Sequence, residues 1–238
     1  MIGAESGTTL RRLLTHRWPM VAPAAGALRP QLETVMAGGA AGAAMVRALA
    51  PMIGWGPADL FVVAGLDLPQ DLVPATGTRP WHVGSVLERA VKLAPQSLRR
   101  LHEAVESLPE HPPAWPPVPR SSYPLGAGEL LLRLLWNRNI APYSPKVLYF
   151  IGGGPMVAHS TMAMLGPGRT RLTPQYVTAF ATVLGIAGDD LTAVTGIAAA
   201  TDLRLHRNHT ELARLAWDAR RLTNEQLSEV LDLASRLR

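Results

Sequence analysis

GELLLRLLWNRNIAPYSPKVLYFIGGGPMVAHSTMAMLGPGRTRLTPQYVTAFATVLGIAGDDLTAVTGI, running from Gly128 to Ile197, is the stretch whose reading decides the fold. It parses into five short helices. In the first, Glu129 to Asn139, Leu130, Leu131, Leu134 and Leu135 share a face that Arg133 and Arg138 avoid. Ser144 stands as N-cap before Pro145, which opens a second helix to Ile151. Gly152, Gly153, Gly154 and Pro155 end it and widen the following turn. A third helix spans about 157–165 and stops at Gly166-Pro167-Gly168. Thr173 caps the fourth, Pro174 lies in its first turn, and Val177, Phe180, Ala181 and Leu184 form its apolar stripe up to Gly185. Asp189, Asp190, Leu191 and Val194 open the fifth, which Gly196 closes; the two acids suit the positive end of a helix dipole.

This order of helices resembles the Cro/repressor (Xre-type) helix-turn-helix domain. The resembling residues are Val157 to Leu165, VAHSTMAML, where such a recognition helix reads roughly V-S-x-x-T-I-S-x-L. A loop with Arg169 and Arg171, a helix ending in Leu184-Gly185 and a short helix opened by Asp189-Asp190-Leu191 complete the likeness. Two positions depart from it: Ala158 replaces the usual Ser cap, and the bulky Tyr149 stands where a small residue normally meets the third helix.

The stretch sits in a chain of 238 residues, enough for one large or two small domains. Lysine occurs only at Lys92 and Lys146, so the net charge of +5 is carried almost wholly by arginine and suits a polyanionic partner. With no cysteine, disulfides, thiolate catalysis and Cys-ligated zinc are excluded. The most apolar region, Val35 to Ala58, is interrupted by Arg47, and its unbroken runs fall short of the roughly 20 residues a spanning helix needs. No membrane partner and a bacterial cytoplasmic, nucleoid location are therefore expected.

The first part of the chain repeats the second. Leu10 to Arg17 (LRRLLTHR) matches Leu131 to Arg138 (LLRLLWNR) at Leu10, Arg12, Leu13, Leu14 and Arg17. Val46 to Gly65 matches Val177 to Gly196 at Val46, Ala48, Ala50, Gly54, Asp59, Leu60, Val63 and Gly65. Leu93 to Leu108 parallels Leu222 to Leu237. Three segments in the same order read as an internal duplication. Between the first two segments the offset grows from 121 to 131 residues, about one short helix and its turn. The first copy fills this gap with coil over 24–30, a helix near Gln31 to Ala37 and GGAAGAA, and reads as having lost the helix-turn-helix pair.

The expected fold is thus all-α, with two related helical domains, each followed by a helical extension. Residues 1–110 form the degenerate repeat, 111–124 a Pro-rich linker, and 125–238 the five-helix Cro/repressor-like domain. TGTRP at 76–80 reads as a turn, and Ser85 to Leu108 as helix broken at Pro95. Pro109 to Pro124 holds seven prolines and reads as a stiff spacer. Asp202 to Leu222 and Thr223 to Leu237 read as two helices, the second opened by a Thr223/Gln226 capping box. Its face of Leu227, Val230, Leu231, Ala234 and Leu237 suits packing on its own domain or the interface of a homodimer.

A recognition helix presents its N-terminal residues to base edges, which points to His159, Ser160, Thr161 and Met164 as base contacts. Arg138, Lys146, Arg169 and Arg171 lie at helix ends or loops where phosphates pass. Met162 and Leu165 belong to the core. The recognition helix itself carries no Arg or Lys, hence no bidentate guanine contact. GGGP at 152–155 lacks the G-K-S/T ending of a phosphate loop. Asp202, His206 and His209 could share a helical face, but a polar helix start accounts for them. Neither a catalytic set, a metal site nor a cofactor is expected. The resemblance implies a sequence-specific, double-stranded-DNA-binding regulator of transcription. The alternative is a protein-interaction regulator on the same scaffold, its partner held through the first repeat.

Overall fold

The computed structural model describes residues 3–75, 81–110, 126–141 and 144–238. Among them there are thirteen α-helices and no strand, so the fold is all-α. The first part holds α1 (Gly3–Ala24), α2 (Arg29–Met36), α3 (Ala43–Ile53), α4 (Pro57–Ala64), α5 (Trp81–Ala90) and α6 (Pro95–Ser107). The second holds α7 (Ala127–Trp136), α8 (Pro145–Gly152), α9 (His159–Ala163), α10 (Pro174–Leu184), α11 (Gly188–Thr195), α12 (His209–Ala219) and α13 (Asn224–Arg236). The expected turn at 76–80 and linker at 111–124 lie outside the described residues.

Local chemistry sets most helix ends. Proline occupies the first turn of α2, α4, α6, α8 and α10, where its missing N–H costs nothing. Gly54 and Gly65 end α3 and α4 in the left-handed region, and Gly185 and Gly196 end α10 and α11 in the same way. These four glycines are the ones the two stretches align. The capping box forms as read: the Gln226 backbone N–H donates to Thr223 Oγ1, and the Thr223 N–H donates to Gln226 Oε1.

Two helices are shorter than the periodicity suggests. The helix expected from Asp202 begins only at His209. The segment before it crosses the end of α8, where the His206 N–H donates to the Ile151 carbonyl, so its backbone is used across elements and not along a helix. The third helix of the central stretch is reduced to His159–Ala163, followed by turns through Gly168.

The buried side chains of both parts form one continuous core. Its helix pairing is reciprocal. α1 packs on α11 while α7 packs on α4; α5 packs on α13 while α6 packs on α12. Of the face read as suiting either its own domain or a homodimer, Leu227, Val230 and Ala234 are buried within the chain, and Leu231 and Leu237 are partly buried. Each fully buried leucine of such a joint contributes about 2 kcal/mol relative to exposure, which makes the intramolecular contact a strong competitor of any second chain.

Ion pairs follow the same reciprocity. Arg17 donates from Nε to Asp190 Oδ1 at 2.5 Å and from a terminal nitrogen to Oδ2 at 2.6 Å. Arg138 donates to both oxygens of Asp59 at 2.9 and 2.8 Å. Arg17 and Arg138 are aligned residues, as are Asp59 and Asp190. The preceding positions join in: Asn137 donates to Asp59 Oδ1 at 3.0 Å, and His16 Nε2 stands 3.6 Å from Asp190 Oδ1.

Candidate nucleic-acid interface

The α8–α9 pair is mounted on its neighbours by small residues. A Cβ on Gly152 would fall 2.6 Å from the Ala179 backbone of α10, and one on Gly154 would fall 2.7 Å from the Ala179 Cβ. Gly153 is left-handed, and a Cβ there would meet the Arg204 carbonyl at 2.8 Å. The three glycines therefore do more than widen a turn: they let α8 lie close on α10 and under the 203–206 segment. Gly128 of α7 plays the same part for α9, since a Cβ there would lie 2.1 Å from the Leu165 carbonyl. Tyr149, which the sequence reading set against the third helix, is instead 43 % exposed and meets Phe150 edge-to-face at 5.1 Å.

Met162 and Leu165 are buried and anchor α9 from below, as the periodicity requires. His159, Ser160, Ala163 and Met164 are exposed on its other side. Thr161 is half-buried, and its carbonyl accepts a bond from Thr170 Oγ1 at 3.2 Å. The Met164 carbonyl accepts from the N–H groups of Arg169 and Thr170, which folds the loop back against the helix end. Arg169 and Arg171 are exposed on that loop, and among the described residues neither makes an ion pair. Lys146 is exposed at the start of α8, with its Nζ 3.9 Å from Glu88 Oε2 of α5.

Arg138 is a correction. It is 2 % exposed, donates also to the carbonyls of Leu134 and Leu184, and sits over the Trp217 ring at 5.2 Å. A phosphate cannot reach it. The sequence showed an arginine at a helix end but not the carboxylate, 79 residues away, that draws it inward. His159, Ser160 and Met164 thus remain exposed on or just after α9, Arg169 and Arg171 on the loop that follows, and Lys146 at the start of α8 beside Glu88 of α5. The segment also has an apolar character not foreseen: of five exposed large apolar side chains in the described residues, Tyr149, Phe150, Met156 and Met164 fall between 149 and 164.

Two further features lie elsewhere. Trp55, Asp59, Arg138, Gly185, His209 and Trp217 help line a cleft of about 830 Å³ between the α3–α4 and α10–α11 turns and α12. His102 of α6, 7 % exposed, bonds Glu211 Oε1 at 2.5 Å through Nδ1 and Asp218 Oδ2 at 2.7 Å through Nε2. The bond to Asp218, and that to Glu211, raise its pKa to about 9 against the opposing effect of burial. The imidazolium clamps α6 to α12 at neutral pH. His102, Glu106 and Asp218 bring ligand atoms within 4.8 Å of one another, the described grouping best able to hold a cation once His102 is deprotonated. Asp202 and His206 stand outside α12 and share no helical face with His209.

No described helix is long and apolar enough to cross a membrane. No family model, curated protein or solved structure matches this chain.

Proposed function

We propose that the chain is a sequence-specific, double-stranded-DNA-binding regulator of transcription of the Cro/repressor type, acting at the bacterial nucleoid, with α9 as its reading helix and its first part a degenerate copy of the second. The observation that carries this reading is α9 itself. It is anchored by Met162 and Leu165, turns His159 and Ser160 outward, and is followed at once by two exposed arginines. His159 and Ser160 supply hydrogen-bonding groups and Met164 an apolar contact for a thymine methyl. Lys146, Arg169 and Arg171 supply the phosphate contacts that fix register.

A salt-titrated binding assay on genomic fragments, including the region upstream of the chain's own gene, tests this. Fragment-selective binding is expected. Arg169→Ala/Arg171→Ala should weaken it on every fragment and flatten the log K against log[salt] slope by about 2. His159→Ala should change the ranking of fragments. Weak, unselective binding that disappears near physiological salt would sink the proposal.

A second reading has its own observation. Tyr149, Phe150, Met156 and Met164, all within residues 149–164, expose large apolar side chains, which suits a protein partner of the helix-turn-helix scaffold. Loss of partner binding in Tyr149→Ser/Phe150→Ser, with no DNA selectivity in the wild type, would favour it.

A further inference from the structure

The reciprocal joints deepen the DNA-binding reading, and the inference rests on it. We infer that this chain meets DNA as a monomer: its two parts supply to each other the twofold interface that two chains would otherwise form, and one reading helix engages one asymmetric half-site.

Three observations lead there. In an isologous dimer, residue i of one subunit meets j of the other, and j meets i. Here the aligned arginines and aspartates obey that rule inside one chain, as Arg17 with Asp190 and Arg138 with Asp59. The helix extensions obey it too, α5 with α13 and α6 with α12. The interface of a pair is therefore already filled.

The second observation is the single head. Residues 153–173 between α8 and α10 carry α9 and its arginine loop, whereas α2 and α3 are joined by 37–42 without a helix. A dimeric regulator places two reading helices about one helical turn of DNA apart. This arrangement holds one, so the reading surface has no twofold partner.

The third concerns what remains outside. Away from 149–164, Met20 is the one exposed large apolar side chain of the described residues, so among them no second apolar patch is offered to another chain. The α8–α9 face is the DNA face in this reading and is not available for pairing.

The test uses the full chain. Its mass is measured by sedimentation at micromolar concentration, and a preferred site is selected from random-sequence duplexes. Stoichiometry is then read by anisotropy titration well above Kd. Expected are a monomer, a 1:1 complex and a motif without dyad symmetry. Ala40→Glu, which places a negative charge on the exposed α2–α3 link, should leave Kd within twofold, while Arg169→Ala/Arg171→Ala flattens the salt slope. A dimer in solution, a 2:1 complex on a palindrome with half-sites one turn apart, or a tenfold loss in Ala40→Glu would overturn the inference with DNA binding intact. No selected motif at any salt would overturn the DNA reading itself and this inference with it.

Discussion

Residues 37–42 and 153–173 occupy corresponding places in the two parts of the chain, and they differ in what they allow the neighbouring helix to do. Within 153–173 stands α9, and the Leu165 carbonyl in the turn just after it presses on Gly128 of α7. Within 37–42 there is no such helix. Gly7 of α1, 121 residues before Gly128, has nothing within 4 Å of where a Cβ would be. Two glycines at aligned positions thus answer to different constraints: one is a contact surface, the other faces open space. The reciprocal ion pairs differ in the same manner. Asp59–Arg138 is buried on both sides, whereas the Arg17 side chain of the other pair keeps a quarter of its surface exposed. Both pairs join the two parts, and the one whose arginine comes from the second part is the more deeply buried.

The largest expected effect breaks the more buried pair. Arg138→Ala leaves Asp59 charged in the core and should cost about 3–5 kcal/mol in urea unfolding. Arg17→Ala should cost clearly less, because a quarter of the Arg17 side chain is already exposed and the buried Asp190 keeps the bond from Trp55 Nε1 at 2.8 Å. Equal losses would remove the distinction between the two joints. Arg138→Met/Asp59→Leu, which removes both charges, should recover much of the loss.

A pH series separates the two helix joints. At α6–α12 the link is His102 with Glu211 and Asp218; at α5–α13 it is a bond that Arg89 donates to Ser235 at 2.6 Å. The folded pKa of His102 is raised, so its stabilisation is complete below the unfolded value of about 6.5 and lost as pH rises through about 9. The wild type should lose up to roughly 3 kcal/mol more than His102→Gln between those limits. Identical pH profiles for the two proteins would remove the clamp.

Smaller effects sharpen the comparison of aligned positions. Gly128→Ala should cost about 1–3 kcal/mol through the clash with Leu165, while Gly7→Ala should be neutral or stabilise by up to about 1 kcal/mol from helix propensity. The α13 cap, Thr223, has Ala94 as its counterpart at α6, in extended conformation but with no side-chain bond. Thr223→Ala should cost about 1 kcal/mol, and Ala94→Thr should gain a similar amount. Thermal unfolding resolves both. His159→Ala should leave stability within about 0.5 kcal/mol, so any change it makes in binding belongs to the surface.

Much of this was legible in the residues. Prolines, left-handed glycines and the Thr223/Gln226 pair act within one helical turn, so their positions in the sequence located helix ends directly. Met162 and Leu165 were assigned to the core, and His159 and Ser160 to the surface by the resemblance to a recognition helix, and the structure buries the first two and exposes the others. Arg138 was misread for a physical reason: an arginine at a helix end looks the same whether water or a carboxylate awaits it. Tyr149 was misread because the close approach of α8 is to α10, through Gly152 and Gly154 against Ala179, which leaves Tyr149 exposed.

What the sequence by itself determined is the all-α class, the helix ends marked by proline, glycine or the Thr223 cap, and the alignment of one part with the other, because each depends on neighbours within a few residues or on direct comparison of residues. Only the tertiary structure decided that Arg17 seeks Asp190 and not Asp59, that α5 and α6 cover the last two helices, and that Arg138 is withdrawn from the surface. Aligned helices have nearly the same apolar faces, so local pattern is indifferent between pairing within a part and pairing across parts. The choice is made by the packing and ion pairing of residues up to 173 positions apart.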